Sequence, residues 1–146
     1  MSDTPEEKEK RVEAFEELRS IEEEVEKNPE TTWQEELNNK RKSEGYYGCI
    51  APDGWKEIVL KADEMLSYID PDYKIAQIKE KFGTLRYYFD SKYRYNTTQG
   101  EIMNAITVWA ERRSETTCES CGKWGELRDE RYWIVTLCDT CNEERK

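Results

Sequence analysis

The sequence predicts an α+β fold: helices packed on a small antiparallel sheet or hairpin, closed at the C-terminus by a four-cysteine module of treble-clef or zinc-ribbon type. Three observations predict it. Apolar residues recur at helical spacing in several segments. Between two of those segments, Leu85, Tyr87 and Phe89 alternate with Thr84, Arg86 and Tyr88, the period of a half-buried strand. Near the end, Cys118/Cys121 and Cys138/Cys141 form two Cys-x-x-Cys pairs with sixteen residues between them. The 146 residues suit one compact domain with an appendage. The organisation reads as an acidic amphipathic helix over 1–30, an α+β body over 31–114 and a zinc module over 115–146.

The first thirty residues hold twelve acids and five bases. Glu6 to Lys27 lacks Gly and Pro and is rich in good helix formers. Ala14, Leu18, Ile21 and Val25 recur at helical spacing, widened by Val12 and Phe15, and Asn28-Pro29 ends the helix. Thr32 to Glu35 fits a capping box, opening a short helix to about Lys42. Glu44 to Asp53 reads as a loop punctuated by Gly45, Gly48 and Pro52. Asp53 then caps a helix from Gly54 to about Ser67, with Trp55, Ile58, Val59, Ala62, Met65, Leu66 and Ile69 facing the core. Asp70-Pro71-Asp72 stops it.

Tyr73–Lys79 and Leu85–Phe89, joined by a turn at Gly83, read as an antiparallel hairpin. Thr98 to Glu101 is a second possible capping box; Ile102, Ala105, Ile106 and Trp109 then form the core face of a helix ending near Ser114. In the C-terminal stretch, Trp124–Leu127 and Tyr132–Leu137 read as short strands around an Arg128-Asp129-Glu130 turn, and the second cysteine pair opens a short helix.

Four thiolates satisfy a tetrahedral zinc ion, and each Cys-x-x-Cys lets two sulfurs meet it from one tight turn. Cys118, Cys121, Cys138 and Cys141 are therefore assigned as ligands of one structural Zn2+, with Gly122 suited to the knuckle. A full cysteine set leaves no open position for a catalytic water. Neither a signal peptide nor a run of ~18 apolar residues is visible, which points to a cytoplasmic setting in which metal is favoured over disulfides. Cys49 stands alone, and the chain has no histidine, so no imidazole activates it; a buried thiol is expected.

The segment Tyr73–Tyr95 departs from the chain average. It holds six bases against two acids in a chain of net charge −10, and seven of the seventeen aromatics. A cation beside a ring can stack on a base and pair with a phosphate. Lys79, Lys81, Arg86 and Tyr88 are thus a candidate site for a small nucleotide or a single-stranded nucleic acid. Against it stands the reading that the rings are core and the charges solvate a sheet face. Duplex DNA is disfavoured, because affinity for it rests largely on phosphate neutralisation.

Gly48-Cys49, Gly54-Trp55, Gln77-Ile78-Lys79-Glu80-Lys81-Phe82-Gly83-Thr84-Leu85-Arg86-Tyr87-Tyr88, Cys118-Glu119-Ser120-Cys121-Gly122 and Thr136-Leu137-Cys138 together resemble a group of small, uncharacterised proteins of bacteriophages, prophages and bacterial genomes. The resemblance spans roughly residues 45–141, and Lys79 to Arg86 is its most specific part. It implies a bacterial or host-cell cytoplasm and a host-interaction or counter-defence role, and it carries over no catalytic residue. The expectation is a non-enzymatic, zinc-stabilised binding protein that docks on a protein partner. Nucleotide or single-strand binding through residues 73–95 is the alternative. A hydrolase using carboxylates and a second metal is a third, for which no spacing singles out ligands.

Overall fold

The computed structural model describes residues 4–7, 9–11, 13–14 and 31–145, and the chain divides into two units, residues 1–32 and 33–146. In the first unit residues 5–7, 9–11 and 13–14 are helical. The helix starts one residue before the expected Glu6, at Pro5, whose fixed φ suits a first helical position. The Glu7 N–H donates to Thr4 Oγ1 and the Thr4 N–H to Glu7 Oε2, both at 3.3 Å, a reciprocal capping box. The rest of the expected stripe, Leu18, Ile21 and Val25 included, lies outside the described residues.

The second unit is α+β. Helix α1 (Trp33–Arg41) leads through a turn to strand β1 (Gly48–Cys49), then to a single 3-10 turn (Asp53–Trp55) that runs into helix α2 (Lys56–Ile69). Strands β2 (Lys74–Lys81) and β3 (Thr84–Asp90) form the hairpin, and helix α3 (Thr98–Ser114) follows. Strands β4 (Glu126–Arg128) and β5 (Val135–Leu137) and helix α4 (Asp139–Glu144) complete the chain. Among the described residues no helix is long and apolar enough to cross a membrane.

The first sheet has the order β1-β2-β3. The expected antiparallel hairpin is present, with Ile78 opposite Tyr87 and Lys79 opposite Arg86. The sheet as a whole is mixed, not antiparallel, because β1 pairs parallel with β2, Gly48 opposite Gln77 and Cys49 opposite Ile78. That strand lies inside the segment read as a loop. Two residues are too short to show alternation, so periodicity does not reveal it. Its Asn38 anchor is not sequence-local either: Asn38 Oδ1 accepts the Cys49 N–H at 2.6 Å and Asn38 Nδ2 donates to Cys49 O at 3.2 Å.

The core joins α2, α3 and the sheet through Trp55, Val59, Ala62, Leu66, Ile75, Ile78, Leu85 and Met103, all fully buried. Each large apolar side chain contributes about 1.5–3 kcal/mol on burial. The face expected for α2 is the one that packs, Met65 and Ile69 being partly buried. Its start differs. Asp53 makes no capping bond; its carboxylate instead accepts from Trp33 Nε1 at 2.9 Å and Gln34 Nε2 at 3.0 Å, tying α1 to the turn. Those bonds, against the opposing effect of burial, hold the Asp53 carboxyl below its usual value.

Helix α3 is also rotated from expectation. Its N-cap is Thr97, whose Oγ1 accepts the Gly100 N–H at 3.1 Å, so Thr98 is the first helical residue rather than the cap. The inward residues are Met103, Ile106, Ala110 and Ser114, while Ile102, Ala105 and Trp109 face out. The register follows from two close approaches. A Cβ at Gly100 would sit 1.9 Å from Arg94 O, so the helix start is pressed on the preceding loop. Ser114 Oγ accepts the free edge N–H of Leu85 at 2.8 Å, which holds the helix end against β3.

Candidate metal centre

The cysteine module grows directly from the end of α3. Thr117 bridges Trp124, the Cys118 N–H donates to Lys123 O at 2.7 Å, and the Gly122 N–H closes the knuckle on Cys118 O at 3.0 Å. Gly122 has φ +82°, a backbone conformation that a side chain would strain. From the knuckle the chain enters β4 and β5, paired antiparallel with Glu126 opposite Leu137 and Arg128 opposite Val135. Cys138 then caps α4, and its Sγ accepts the Cys141 N–H at 3.4 Å.

These turns bring four sulfurs together. The Sγ atoms of Cys118, Cys121, Cys138 and Cys141 all lie within 4.8 Å of one another, and Cys121 Sγ and Cys138 Sγ are 3.6 Å apart. A tetrahedron with metal–sulfur bonds of about 2.3 Å has edges of about 3.8 Å. The cluster therefore fits a four-thiolate metal ion. Cys118 is fully buried, Cys138 and Cys141 are half-buried and Cys121 is exposed.

The module is fastened to the body by backbone and ring contacts. The Gly54 N–H donates to Glu119 O at 2.8 Å and Trp55 Nε1 to Thr117 O at 2.8 Å. Thr136 Oγ1 donates to Gly83 O at 2.7 Å. Glu119, also buried, accepts the Thr136 N–H on Oε2 at 2.5 Å. Burial pushes its carboxyl up to about 7 against that hydrogen bond, with Glu80 and the Cys118 sulfur adding to the rise.

The hairpin candidates share one face. Lys79 and Arg86 are register partners, Lys81 stands opposite Thr84, and Tyr88, opposite Gln77, is half exposed. Ile78, Leu85 and Tyr87 point to the core on the other face. Arg86 is ion-paired with Glu111 of α3, and Lys81 Nζ stands 5.7 Å from the centroid of the Phe82 ring. Cys49 is 2% exposed, and burial pushes its thiol up to about 11 against the Ala51 N–H, as an unreactive core thiol requires.

Two constellations have no counterpart in the sequence reading. One is a buried network: Arg41 Nε donates to Asp63 Oδ1 at 3.1 Å, Tyr73 Oη reaches the same oxygen at 2.5 Å, and the Tyr73 and Tyr87 hydroxyls are 2.6 Å apart. The Arg41 guanidinium also lies 4.9 Å from the Tyr73 ring centroid. The other is an aromatic surface where the β2–β3 turn meets the metal module. Phe82, Tyr132 and Trp133 are 66%, 98% and 61% exposed and line, with Glu80 and Ile134, a hollow of about 410 Å³. Phe82 has φ +53° at the first position of a two-residue turn, followed by Gly83 at φ +82°. Positive φ at both positions is what a type I′ turn needs, but Asn or Gly ordinarily supplies the first. A bulky ring there stores about 1–3 kcal/mol of strain. Phe82 at a turn position, where polar residues are ordinary, is the signal the sequence carried; Tyr132 and Trp133 read as strand residues but lie in the connection before β5.

No family model, no curated protein sequence and no solved structure matches the chain.

Proposed function

We propose that this chain is a non-enzymatic, zinc-stabilised binding protein that docks on a protein partner through the aromatic surface of Phe82, Tyr132 and Trp133. The carrying observation is the position of those rings. Three large aromatics stand in solvent where the body hairpin and the cysteine module meet, one of them on a strained backbone. Exposed aromatics at this density are the residues that dominate protein interfaces. Knuckle, hairpin and a helix opened by the second cysteine pair support a treble-clef reading, and a tetrahedral set of four thiolates supports a single zinc ion as the metal. The zinc is structural: it holds the β4–β5 hairpin that carries Tyr132 and Trp133 to its side. The likeness to small bacteriophage and bacterial proteins supports a cytoplasmic accessory role, with a host protein as the partner.

The test combines metal analysis with capture. The purified chain returns one zinc, and wild type retains a defined host protein that Tyr132→Ser/Trp133→Ser loses while keeping its zinc. Equal capture by the double variant removes the aromatic surface from the reading, and a chain without metal removes the zinc.

A second reading has its own observation: Lys79, Lys81, Arg86 and Tyr88 share one sheet face. A nucleotide or single strand bound there raises the melting temperature of wild type but not of Arg86→Ala. The Arg86–Glu111 pair and the net charge of −10 weigh against it.

A further inference from the structure

Helix α3 has two apolar faces, and among the described residues only one of them enters the core. Met103, Ile106 and Ala110 enter the core, while Ile102, Ala105 and Trp109, spaced three and four residues apart, form a second stripe on the surface. Ile102 is 49% and Trp109 39% exposed. With Lys61 and Met65 of α2 this stripe lines an open trough of about 380 Å³. Two further hollows adjoin it at Trp109, one of about 440 Å³ beside Arg112 and Arg113, the other of about 320 Å³ reaching Glu57 and Gly122.

The rim is charged in the sense opposite to the protein. Lys61, Arg112 and Arg113 face a single acid lining the hollows, Glu57, on a chain of net charge −10. Lys61 is partnered by Glu64 at 3.4 Å. Among the described residues neither Arg112 nor Arg113 has an ion pair. An apolar floor between two helices, with arginines along one border, has the form of a helix-in-groove site. From Ile102 to Trp109 the stripe runs about 10 Å, two helical turns.

We propose that this trough docks an acidic amphipathic helix of a partner protein. Its apolar face lies on Trp109, Ile102 and Met65, and its carboxylates meet Arg112 and Arg113. A basic helix is excluded by the same arginines. The proposal uses a surface separate from the Phe82–Trp133 patch and does not depend on it.

The experiment is a titration of the full-length, metal-loaded chain into labelled synthetic helical peptides of about 18 residues, five turns. One has Leu at i, i+3, i+4 and i+7 and Glu at most other positions; the second has Lys in place of Glu. The Glu peptide is expected to bind at least about tenfold tighter than the Lys peptide, and to weaken as salt is raised. Trp109→Ala and, separately, Arg112→Glu/Arg113→Glu each reduce its affinity by at least about tenfold. Equal binding of the two peptides, binding indifferent to both variants, or absence of binding overturns the proposal. The arginine reversal lies wholly on the surface, so the test stands even if Trp109→Ala does not fold. Adsorption to phosphatidylglycerol vesicles without binding of the Glu peptide likewise overturns it, in favour of a membrane-facing trough.

Discussion

Replacing Gly54 by alanine probes the seam between the body and the cysteine module. A Cβ at this position would stand 2.0 Å from Cys118 O and 2.5 Å from the carbonyl carbon and oxygen of Glu119, whereas ordinary contact begins at 3.4 Å. Every obstructing atom is backbone, so no side chain can swing away; the turn and the knuckle must part by an ångström or more. Such overpacking costs about 1–3 kcal/mol. Parting also stretches the Gly54 N–H bond to Glu119 O and the Trp55 Nε1–H bond to Thr117 O, both 2.8 Å. A buried donor left unmade costs about 1–3 kcal/mol. With both bonds counted, the expected loss is therefore about 3–9 kcal/mol. At about 3–5 °C per kcal/mol for a domain of this size, the midpoint of thermal unfolding falls by about 10 °C or more.

Gly45 supplies the control. It has φ +86°, so alanine there meets the left-handed penalty of about 1–2 kcal/mol, but nothing lies within 4 Å of its Cβ. Circular dichroism melts of the two metal-loaded variants should separate widely, with Gly45→Ala within about 8 °C of wild type. Equal shifts, or a Gly54→Ala midpoint within about 3 °C of wild type, would mean that the knuckle does not bear on the turn as the distances state.

Two further outcomes are expected. Structural zinc contributes about 10–16 kcal/mol of apparent binding free energy in small modules, comparable to the whole stability of a domain at about 5–15 kcal/mol. Chelation, or Cys121→Ser, should therefore abolish the melting transition of residues 115–146 and lower that of the body; an unchanged melt after verified metal removal refutes a structural ion. Asp70 gives the acid limit. It is 1% exposed; burial raises its pKa, but the Ser91 hydroxyl at 2.6 Å and the Asp72 and Lys92 N–H groups outweigh that and hold it below the usual value. A depressed carboxyl stabilises the fold fully above its unfolded pKa of about 4 and loses that contribution as the pH falls through its folded value. The difference in midpoint between wild type and Asp70→Asn should shrink below about pH 4, measured in the same buffers because thiolate ligands also take up protons there. A difference constant from pH 6 to 3 refutes the assignment.

How much of this was legible depends on the range of the physics involved. The cysteine cluster is a local matter: two tight turns each fix a pair of sulfurs, and sixteen residues suffice for the hairpin that brings the pairs together. The β2–β3 hairpin is likewise written in alternation and a glycine. Errors begin where a choice is made by distant partners. Asp53 has the chemistry of an N-cap, yet Trp33 and Gln34 claim its carboxylate from twenty and nineteen residues away. Strand β1 exists because Asn38 and β2 receive its backbone, not because its two residues announce a strand.

The buried Arg41–Asp63 pair shows the same limit from the opposite side. In sequence it is one base and one acid among fifty-six charged residues. In the fold each side chain is 9% exposed, and Asp63 is also held by the Tyr73 hydroxyl. Breaking such a pair from one side leaves an uncompensated buried charge, which is why it constrains α1, α2 and the sheet together.

Helix α3 carries the functional consequence of such distant choices. Its apolar residues allow two inward faces about 100° apart, and Ile106 belongs to both. Gly100 against Arg94 and Ser114 against Leu85 select the face containing Met103 and Ala110. The rejected face does not vanish; it becomes the stripe of Ile102, Ala105 and Trp109 that floors the trough. An apolar stripe too many on one helix is therefore a sequence-level mark of a docking surface: one stripe satisfies the core, and the other remains for a partner to cover.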